Sequence, residues 1–592
     1  MCEEENFPET FKKTTLHMIF KGGSGRREQL SENRFIHSKN WFPRTVEACI
    51  VEDGLKGPLI DFSSIYQIGG QPRHRSEELV FSLKSIIAKY RYQGKPIIIQ
   101  SYDLAKFFDK ESIEDAILTC VKRGADLKAC RLWYKLNDDT QIRVRTGAGM
   151  TRYIGAGALV GQGTIGGALV SQGVLDEGIS GQFVPGGEDE MNFGSVPVAP
   201  LIFMDDIIHG AEGVEEARRA NHKVDIVTKQ LNLRLNQDKS VCTVMGTLKQ
   251  RNYMRNILRT KPLMCGSFET KLKDKFKWLG QILSCGGLSE SVAETVAARE
   301  GKIKGACLEI CIIVNDWRSK IEGGMETALL LWEMCCIPSL LNGAGTWTEI
   351  SAVTVKRLNQ LQCYFLRMAL QVGPGAARAS LLWDTACWDM DLRIWREKIR
   401  FVLHIRSMEP NSFARLIYEE QITNQWPGLA KETSIICQAL NIEDCNTSQL
   451  DKLGYLKLVT SAIDLENEKR LRLLAYGKCE RILGEDYGKK DYISKKNIFS
   501  VRQQYRARFG LEKFAGNYSN DRRFSSTEWL CRCEEAREEE SHLTSGRCTL
   551  FGDLRERFGD LHDDENLVNF FQEVLARRDK MDKEKETCDG GV

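Results

Sequence analysis

No uninterrupted apolar stretch in this chain approaches the roughly 20 residues a membrane-spanning helix needs. The opening Met1-Cys-Glu-Glu-Glu-Asn is acidic and lacks the apolar segment of a secretory leader. Strong net charge is missing too: 83 Lys and Arg against 81 Asp and Glu leave +2. No global basic field announces nucleic acid, so such binding would rest on local basic surface balanced by acidic regions elsewhere. No GKT or GKS is present, which argues against a P-loop. A literal GxGxxG runs from Gly161 to Gly166, but no acidic strand end follows where a ribose contact would require one. Cysteine, by contrast, is plentiful: 20 residues spread along the chain suit a reducing compartment better than a disulfide framework. At 592 residues, with 28% charged and 42% hydrophobic, the chain has room for several domains with sizeable cores.

The chemistry that is present is that of carboxylates. Pro200-Leu201-Ile202-Phe203-Met204 is apolar, Asp205-Asp206 follows, and Ile207-Ile208 comes straight after. This reads as a strand, a tight acidic turn and a return strand. Adjacent carboxylates repel, so a partly buried pair needs a positive partner. A divalent cation serves, and oxygen-only ligands favour magnesium or manganese; a plain polar turn accounts for the same residues without one. Upstream, Lys95 to Tyr102 has a buried-strand pattern that Asp103 closes, and Leu104-Ala-Lys-Phe107-Phe108-Asp109 follows. A strand ending in Asp, with a later hairpin tipped by Asp-Asp, is how polymerase palms place two metals.

With both motifs in view, the sequence resembles the reverse transcriptases of non-LTR (LINE-type) retrotransposons. Asp103-Leu-Ala-Lys-Phe-Phe-Asp109 is similar to the family's Asp-x-x-x-x-Phe-Asp motif, and Phe203-Met-Asp-Asp206 to its [Tyr/Phe]-x-Asp-Asp. The resemblance implies that Asp103, Asp205 and Asp206 surround the metals. It puts Phe108 where a bulky ring rejects a ribose 2′-hydroxyl, selection by shape, although Phe107 and Phe108 could equally be core. Gln162-Gly163, within the glycine-rich stretch Gly155 to Gly167, resembles the motif that approaches the nascent base pair and template. Gly166-Gly167 replaces the family's Ser-Pro there, which leaves the local loop geometry open.

Further segments fall in the family's order. Ala217 to Leu235 reads as a helix, and Leu233 to Ser240 resembles the motif whose lysine lies near the leaving pyrophosphate. Lys239 is then a general acid or a solvated loop lysine. Phe276-Lys-Trp-Leu-Gly280 resembles the hairpin that grips the primer terminus. Upstream, Leu30 to Ile36 and Tyr66 to Glu77 resemble finger segments, one residue short between Asn33 and Arg34 in the first. Arg34, Arg73 and Arg75 suit triphosphate or template phosphate, or are surface arginines. The resemblance covers Phe11 to about Trp347.

Helices are expected beyond Gly280, at Ser289–Ile313, Met325–Cys336 and Thr354–Leu370, with Ile337 to Gly343 resembling the thumb of LINE enzymes. Lys489 to Lys513 is basic, with Tyr492, Phe499, Tyr505 and Phe509 interleaved. It could hold a single strand by phosphate contacts and stacking or be a solvated helix face. Cys531-Arg-Cys533, His542 and Cys548 suggest a tetrahedral structural zinc site, although a chance cluster is the alternative in so cysteine-rich a chain. The spacing departs from the family's Cys-x-x-Cys…His…Cys knuckle.

The expected architecture is an α+β right-hand polymerase with a helical C-terminal region and a small zinc-knuckle-like segment. Fingers span 1–95, palm with an inserted finger segment 96–287, helical thumb and connection 288–475, and the basic/aromatic and knuckle-like region 476–578; 579–592 is expected to be a disordered tail. The expected function is RNA-directed DNA polymerase of a retrotransposon, using dNTPs, an RNA template, a DNA primer or target DNA, Mg2+ or Mn2+, and structural Zn2+. A nuclear or cytoplasmic protein, neither secreted nor in a membrane, is expected. No endonuclease motif precedes the fingers-like segments, and only about forty residues follow Cys548. The expectation is therefore a piece of a longer element or a polymerase using existing 3′ ends, with a separate endonuclease as partner. The alternatives are a domesticated or inactive nucleic-acid-binding protein on the same fold, and a viral-type RNA-dependent RNA polymerase. The Gln162-Gly163 and Met204-Asp205-Asp206 patterns disfavour the latter.

Overall fold

The computed structural model describes residues 7–21, 29, 33–105, 107–157, 160–183, 191–318, 322–512, 514 and 530–589. The chain divides into two compact units, Met1–Glu294 with Gly345–Glu349 and Lys398–Ile435, and Thr295–Ala344 with Ile350–Glu397 and Ile436–Val592. The first long stretch of the chain thus ends at Glu294, and Gly345–Glu349 and Lys398–Ile435 return to the first unit.

In the first unit, helix and strand are mixed. Its central strand, Ile97–Asp103, begins with three isoleucines and is buried except at Asp103. A continuous β-branched run suits a strand covered on both faces. Asp206–Ala211 and Val241–Met245 flank it antiparallel, Leu201–Phe203 pairs beyond the first, and Lys271–Leu272 beyond the second. One face carries helix Val214–Gln230, whose Asn221 side chain accepts from Gln100 Nε2 (2.6 Å) and Tyr102 Oη (2.8 Å). Tyr102, Leu175, Ile179, Ile207, Val224 and Val227 form the core there.

This helix ends earlier than the expected Leu235. The chain turns left-handed at Asn232 (φ 51°), which frees residues 233–236 to pair elsewhere. A second sheet joins Asn33–Lys39, Lys13–Phe20, Thr140–Thr146, Gly149–Met150 and Ile154–Gly157. Residues 140–157, within the span expected to hold palm with an inserted finger segment, complete a sheet built on the N-terminal strands. Lys275–Trp278 and Gln281–Ser284 form a hairpin whose Leu279 (φ 43°) and Gly280 (φ 79°) are both left-handed, as a two-residue type I′ turn requires.

The second unit is mainly helical among the described residues. The expected helix Met325–Cys336 is interrupted: Gly324–Leu331 passes through a wider π turn, Trp332–Cys336, into Ile337–Leu340. Trp332 stacks on Phe365 at 4.7 Å and 7°. The expected helix Thr354–Leu370 is present as Ala352–Leu370. Residues 579–589 continue helix Asp564–Asp589 rather than forming a disordered tail. Their alternating charges allow i,i+4 pairing, as at Lys580–Glu584.

The segment Lys489–Lys513 departs most from expectation; Lys513 itself lies outside the described residues. Tyr492, Tyr505 and Phe509 are buried, leaving Phe499 exposed. Arg502 is buried and donates to the Ala369 carbonyl (2.8 Å) and Asn315 Oδ1 (2.7 Å). Arg508 joins Asp384 (2.9 Å), Glu485 (2.7 Å) and Asp564 inside the unit. These rings and arginines are interior, so the segment does not present the stacking platform its composition suggested.

Burial raises the Asp384 carboxyl, and Arg508 and Tyr492 offset this only in part. Burial also acts to raise Glu485, but Arg508 and Lys490 outweigh it and hold that carboxyl at about 2. Arg508→Ala is expected to destabilise the unit by about 3–5 kcal/mol, because Asp384 is left buried without its cation. Glu485 contributes stability above its unfolded pKa near 4.5 and loses it as pH falls toward about 2. Urea unfolding of the full chain should therefore show the gap between wild type and variant narrowing over that interval.

Candidate active site

Strand register brings the acidic residues together. Asp206 lies opposite Asp103 across one pair of strands and opposite Phe203 across the next, so Met204 and Asp205 form a two-residue turn. Consecutive Leu201 and Ile202, and Ile207 and Ile208, are all buried, so both faces of these strands pack against core. Met204 adopts φ 58°, a left-handed conformation that non-glycine residues occupy at a cost of about 1–2 kcal/mol.

The segment Tyr66–Gly70 holds this turn. Ile202 N donates to the Tyr66 carbonyl (2.9 Å), and Ile68 N to the Ile202 carbonyl (3.4 Å). Gly69 packs directly on Met204: an added Cβ would collide with the Met204 amide nitrogen and lie 2.9 Å from its Cγ. The resemblance of this segment rested on Gln67-x-Gly69 and the trailing Arg73 and Arg75, and only the arginines were expected to act; the packing role of Gly69 on the turn is what the structure adds.

On the opposite side, residues 233–240 fold onto the backbone around Asp103. Ala105 N donates to the Arg234 carbonyl and Asn236 N to the Asp103 carbonyl, both at 2.7 Å, while Asp103 N donates to Ser240 Oγ (3.3 Å). The turn that results places Lys239 Nζ 3.6 Å from Asp103 Oδ2. Ser240 and Asn236 thus position the lysine, roles the sequence did not disclose.

The electrostatics follow from this crowding. Burial and then Asp103 raise Asp205 above the usual carboxylate range, against its own backbone amide, Arg34 and Lys239. Burial, Asp205 and Asp103 push Asp206 up to about 6, against Lys239 and Arg34. The donors are all oxygen, and their charge is only partly balanced, which fits a hard divalent cation. Among the described residues, ligand atoms converge to within 4.8 Å only in two cysteine-containing clusters, so the three carboxylates are more widely spread.

Arg34 is exposed on strand Asn33–Lys39, and its charge acts on both Asp205 and Asp206. That strand is tied to the glycine run, since His37 N donates to the Gln162 carbonyl (2.8 Å). Gly163 has φ 103°, and an added Cβ would lie 2.8 Å from the His37 carbonyl, so the Gln162-Gly163 pair requires its glycine. Phe108 is half-buried, 5.3 Å from the Phe107 ring, and packs on the core beneath the Asp103 strand. Arg73 and Arg75 are exposed where helix Ser76–Tyr92 begins; Arg73 is left-handed, and Arg75 N donates to Glu78 Oε1 (2.9 Å).

Cys531, Cys533, His542 and Cys548 do come together. Cys531 and Cys548 Sγ are 3.7 Å apart, and Cys533 Sγ lies 3.2 Å from His542 Nε2. A tight turn compensates for the single residue between the first two cysteines: Glu534 is left-handed, and its N–H donates to the Cys531 carbonyl (2.8 Å). Three thiols and an imidazole form a donor set that fits zinc.

No protein-family model matches this sequence, and no curated protein does. Solved structures with some likeness to it include apo telomerase from Candida tropicalis, at 9% identity and TM-score 0.33 over 69% of each chain. Telomerase from Candida albicans with a TWJ fragment of telomeric RNA gives 9% and 0.31, over 70% of this chain and 67% of that one. A Candida tropicalis telomerase lacking its C-terminal domain gives 11% and 0.31, and this chain covers 55% of it with 47% of its own length. The chemistry of the site is therefore argued from its own residues.

Gly69→Ala should leave the chain folded but destabilise it by about 1–3 kcal/mol, the range for overpacking. Thermal unfolding measures this; an unchanged melting temperature would show that Gly69 does not hold the turn.

Proposed function

We propose that this chain is an RNA-directed DNA polymerase of the retrotransposon type, built as a right hand, adding dNTPs to a DNA 3′-end on an RNA template. One observation supports this above the others: Asp206 lies opposite Asp103, with Asp205 on the turn beside them. Asp103, Asp205 and Asp206 would hold the divalent ions, which when bound activate the primer hydroxyl and neutralise the triphosphate. Lys239 lies on the Asp103 side and would supply a proton or positive charge to the departing pyrophosphate. Arg34 acts on Asp205 and Asp206 through its charge and would meet the triphosphate, an anion suited to its guanidinium. Phe108 would bound the sugar, and Gln162-Gly163 would underlie the base pair. The Cys531, Cys533, His542 and Cys548 cluster would hold a structural zinc, and a separate endonuclease would supply the 3′-end.

The test is primer extension by the purified chain on an RNA template with dNTPs and magnesium. Wild type should extend, and Asp205→Ala should lose about a thousandfold or more, as removal of a metal ligand implies. Extension undiminished in the variant overturns the assignment; template binding without extension by either favours a binding protein that lacks turnover.

A pH dependence follows as well. The raised Asp206 carboxyl keeps its proton up to about pH 6, and a metal must displace that proton. Manganese affinity should therefore fall about tenfold per pH unit below about 6 and level off above it. Electron paramagnetic resonance of free Mn2+ reads this directly, and affinity unchanged between pH 5 and 7 would place the ion elsewhere.

A further inference from the structure

Helix Leu429–Ala439 ends in a sharp turn that returns the chain past its own last residues. Asn441 is left-handed (φ 53°), and Ile442 N donates back to the Cys437 carbonyl (3.0 Å), a common way to end a helix. Three residues on, Asp444 Oδ1 accepts from Asn446 N and Nδ2, both at 2.8 Å, and its carbonyl accepts from Thr447 N and Ser448 N. The chain then enters helix Lys452–Leu473. These turns bring Cys437, Asp444 and Cys445 together, with one donor atom of each within 4.8 Å of the others. Both cysteines are buried and Asp444 is half-buried, so the cluster faces solvent on its carboxylate side. Tyr455 closes the inner side: its hydroxyl donates to the Glu443 carbonyl and lies 3.5 Å from Cys437 Sγ.

We propose that Cys437, Asp444 and Cys445 form a second zinc site, distinct from the Cys531, Cys533, His542 and Cys548 cluster. Two thiolates and a carboxylate suit zinc better than magnesium or calcium, which take oxygen ligands alone. With three protein ligands, the fourth position falls on the open carboxylate side and takes water. The doubly hydrogen-bonded Asp444 Oδ1 fixes the carboxylate, a supporting contact of the kind that orients metal ligands. Bound there, zinc ties the end of helix Leu429–Ala439 to the twelve-residue connection that leads into helix Lys452–Leu473.

Zinc counting on the full chain tests this. Protein is purified under reducing conditions, reconstituted with zinc, washed with a mild chelator, and measured by native mass spectrometry and elemental analysis. Wild type should hold two zinc ions per chain, Cys437→Ser one, Cys548→Ser one, and the double variant none. One zinc in wild type that Cys437→Ser keeps and Cys548→Ser loses overturns the second site and leaves the first intact. No zinc in wild type overturns both. A mass lower by two hydrogens, with Cys437 and Cys445 resistant to alkylation, means a disulfide and also overturns the proposal. Should Cys437→Ser fail to fold, Asp444→Asn takes its place. It should lose one zinc to a chelator the wild type withstands, and retention as tight as wild type removes Asp444, and with it the site.

Discussion

Like charge concentrated at one strand edge is the constraint around which the first unit is arranged. Burial disfavours the charged forms of Asp205 and Asp206, and the neighbouring Asp103 adds to the cost of ionising both. Packing must hold them there, because left alone they would separate. Three devices do so from different directions. The isoleucine-rich strand is buried on both faces and pairs antiparallel with the strand that begins at Asp206, which sets Asp206 opposite Asp103. Residues 233–240 fasten to the backbone on either side of Asp103. The Tyr66–Gly70 segment bonds to the strand leading into the turn and packs against Met204, whose backbone is itself unfavourable. A site whose parts oppose their own assembly is commonly one where stability is given up for function.

The same logic explains where positive charge is placed. Lys239 and Arg34 approach from separate elements, and neither enters a close, saturated ion pair with all three carboxylates. At 3.6 Å from Asp103, Lys239 relieves charge without covering the acidic edge. Arg508 in the second unit shows the opposite solution: one guanidinium buried among three carboxylates, closed to any ligand. Similar residue types thus serve an open site in one unit and a sealed structural hub in the other. What separates them is how completely the cation is surrounded by acids.

That contrast also explains how much could be read from sequence. The Asp103 strand and the acidic hairpin were legible because their burial patterns are local: an apolar run names a strand, and the carboxylates fall at its end. The Cys531 to Cys548 cluster was legible for a similar reason, since soft ligands close in sequence rarely have many other uses. Lys489 to Lys513 was misjudged because its partners, Asp384 and Asp564, are far away in the chain, and a basic aromatic stretch has the same composition inside or outside. The packing role of Gly69 was not legible because it depends on Met204, more than a hundred residues later. The Cys437 and Cys445 pair was not legible because two cysteines eight positions apart match no metal-ligand spacing by themselves, and the turn that brings them together with Asp444 is a feature of the fold.

The threading of the first unit has a consequence for how the protein is made. Glu78, buried in helix Ser76–Tyr92, takes His404 Nε2 as a partner at 2.8 Å, and Ser85 of the same helix accepts from Gln421 at 2.7 Å. Trp347, also buried, donates to Gln281 Oε1 (2.8 Å). The strands that carry the acidic residues therefore leave the ribosome long before the segments that complete their surroundings. During that interval the helix exposes groups whose partners have not yet been synthesised, and loop closure over more than three hundred residues is slow. Emergence of Ile435, rather than of the last acidic residue, marks the earliest moment at which this half of the protein can finish folding during translation.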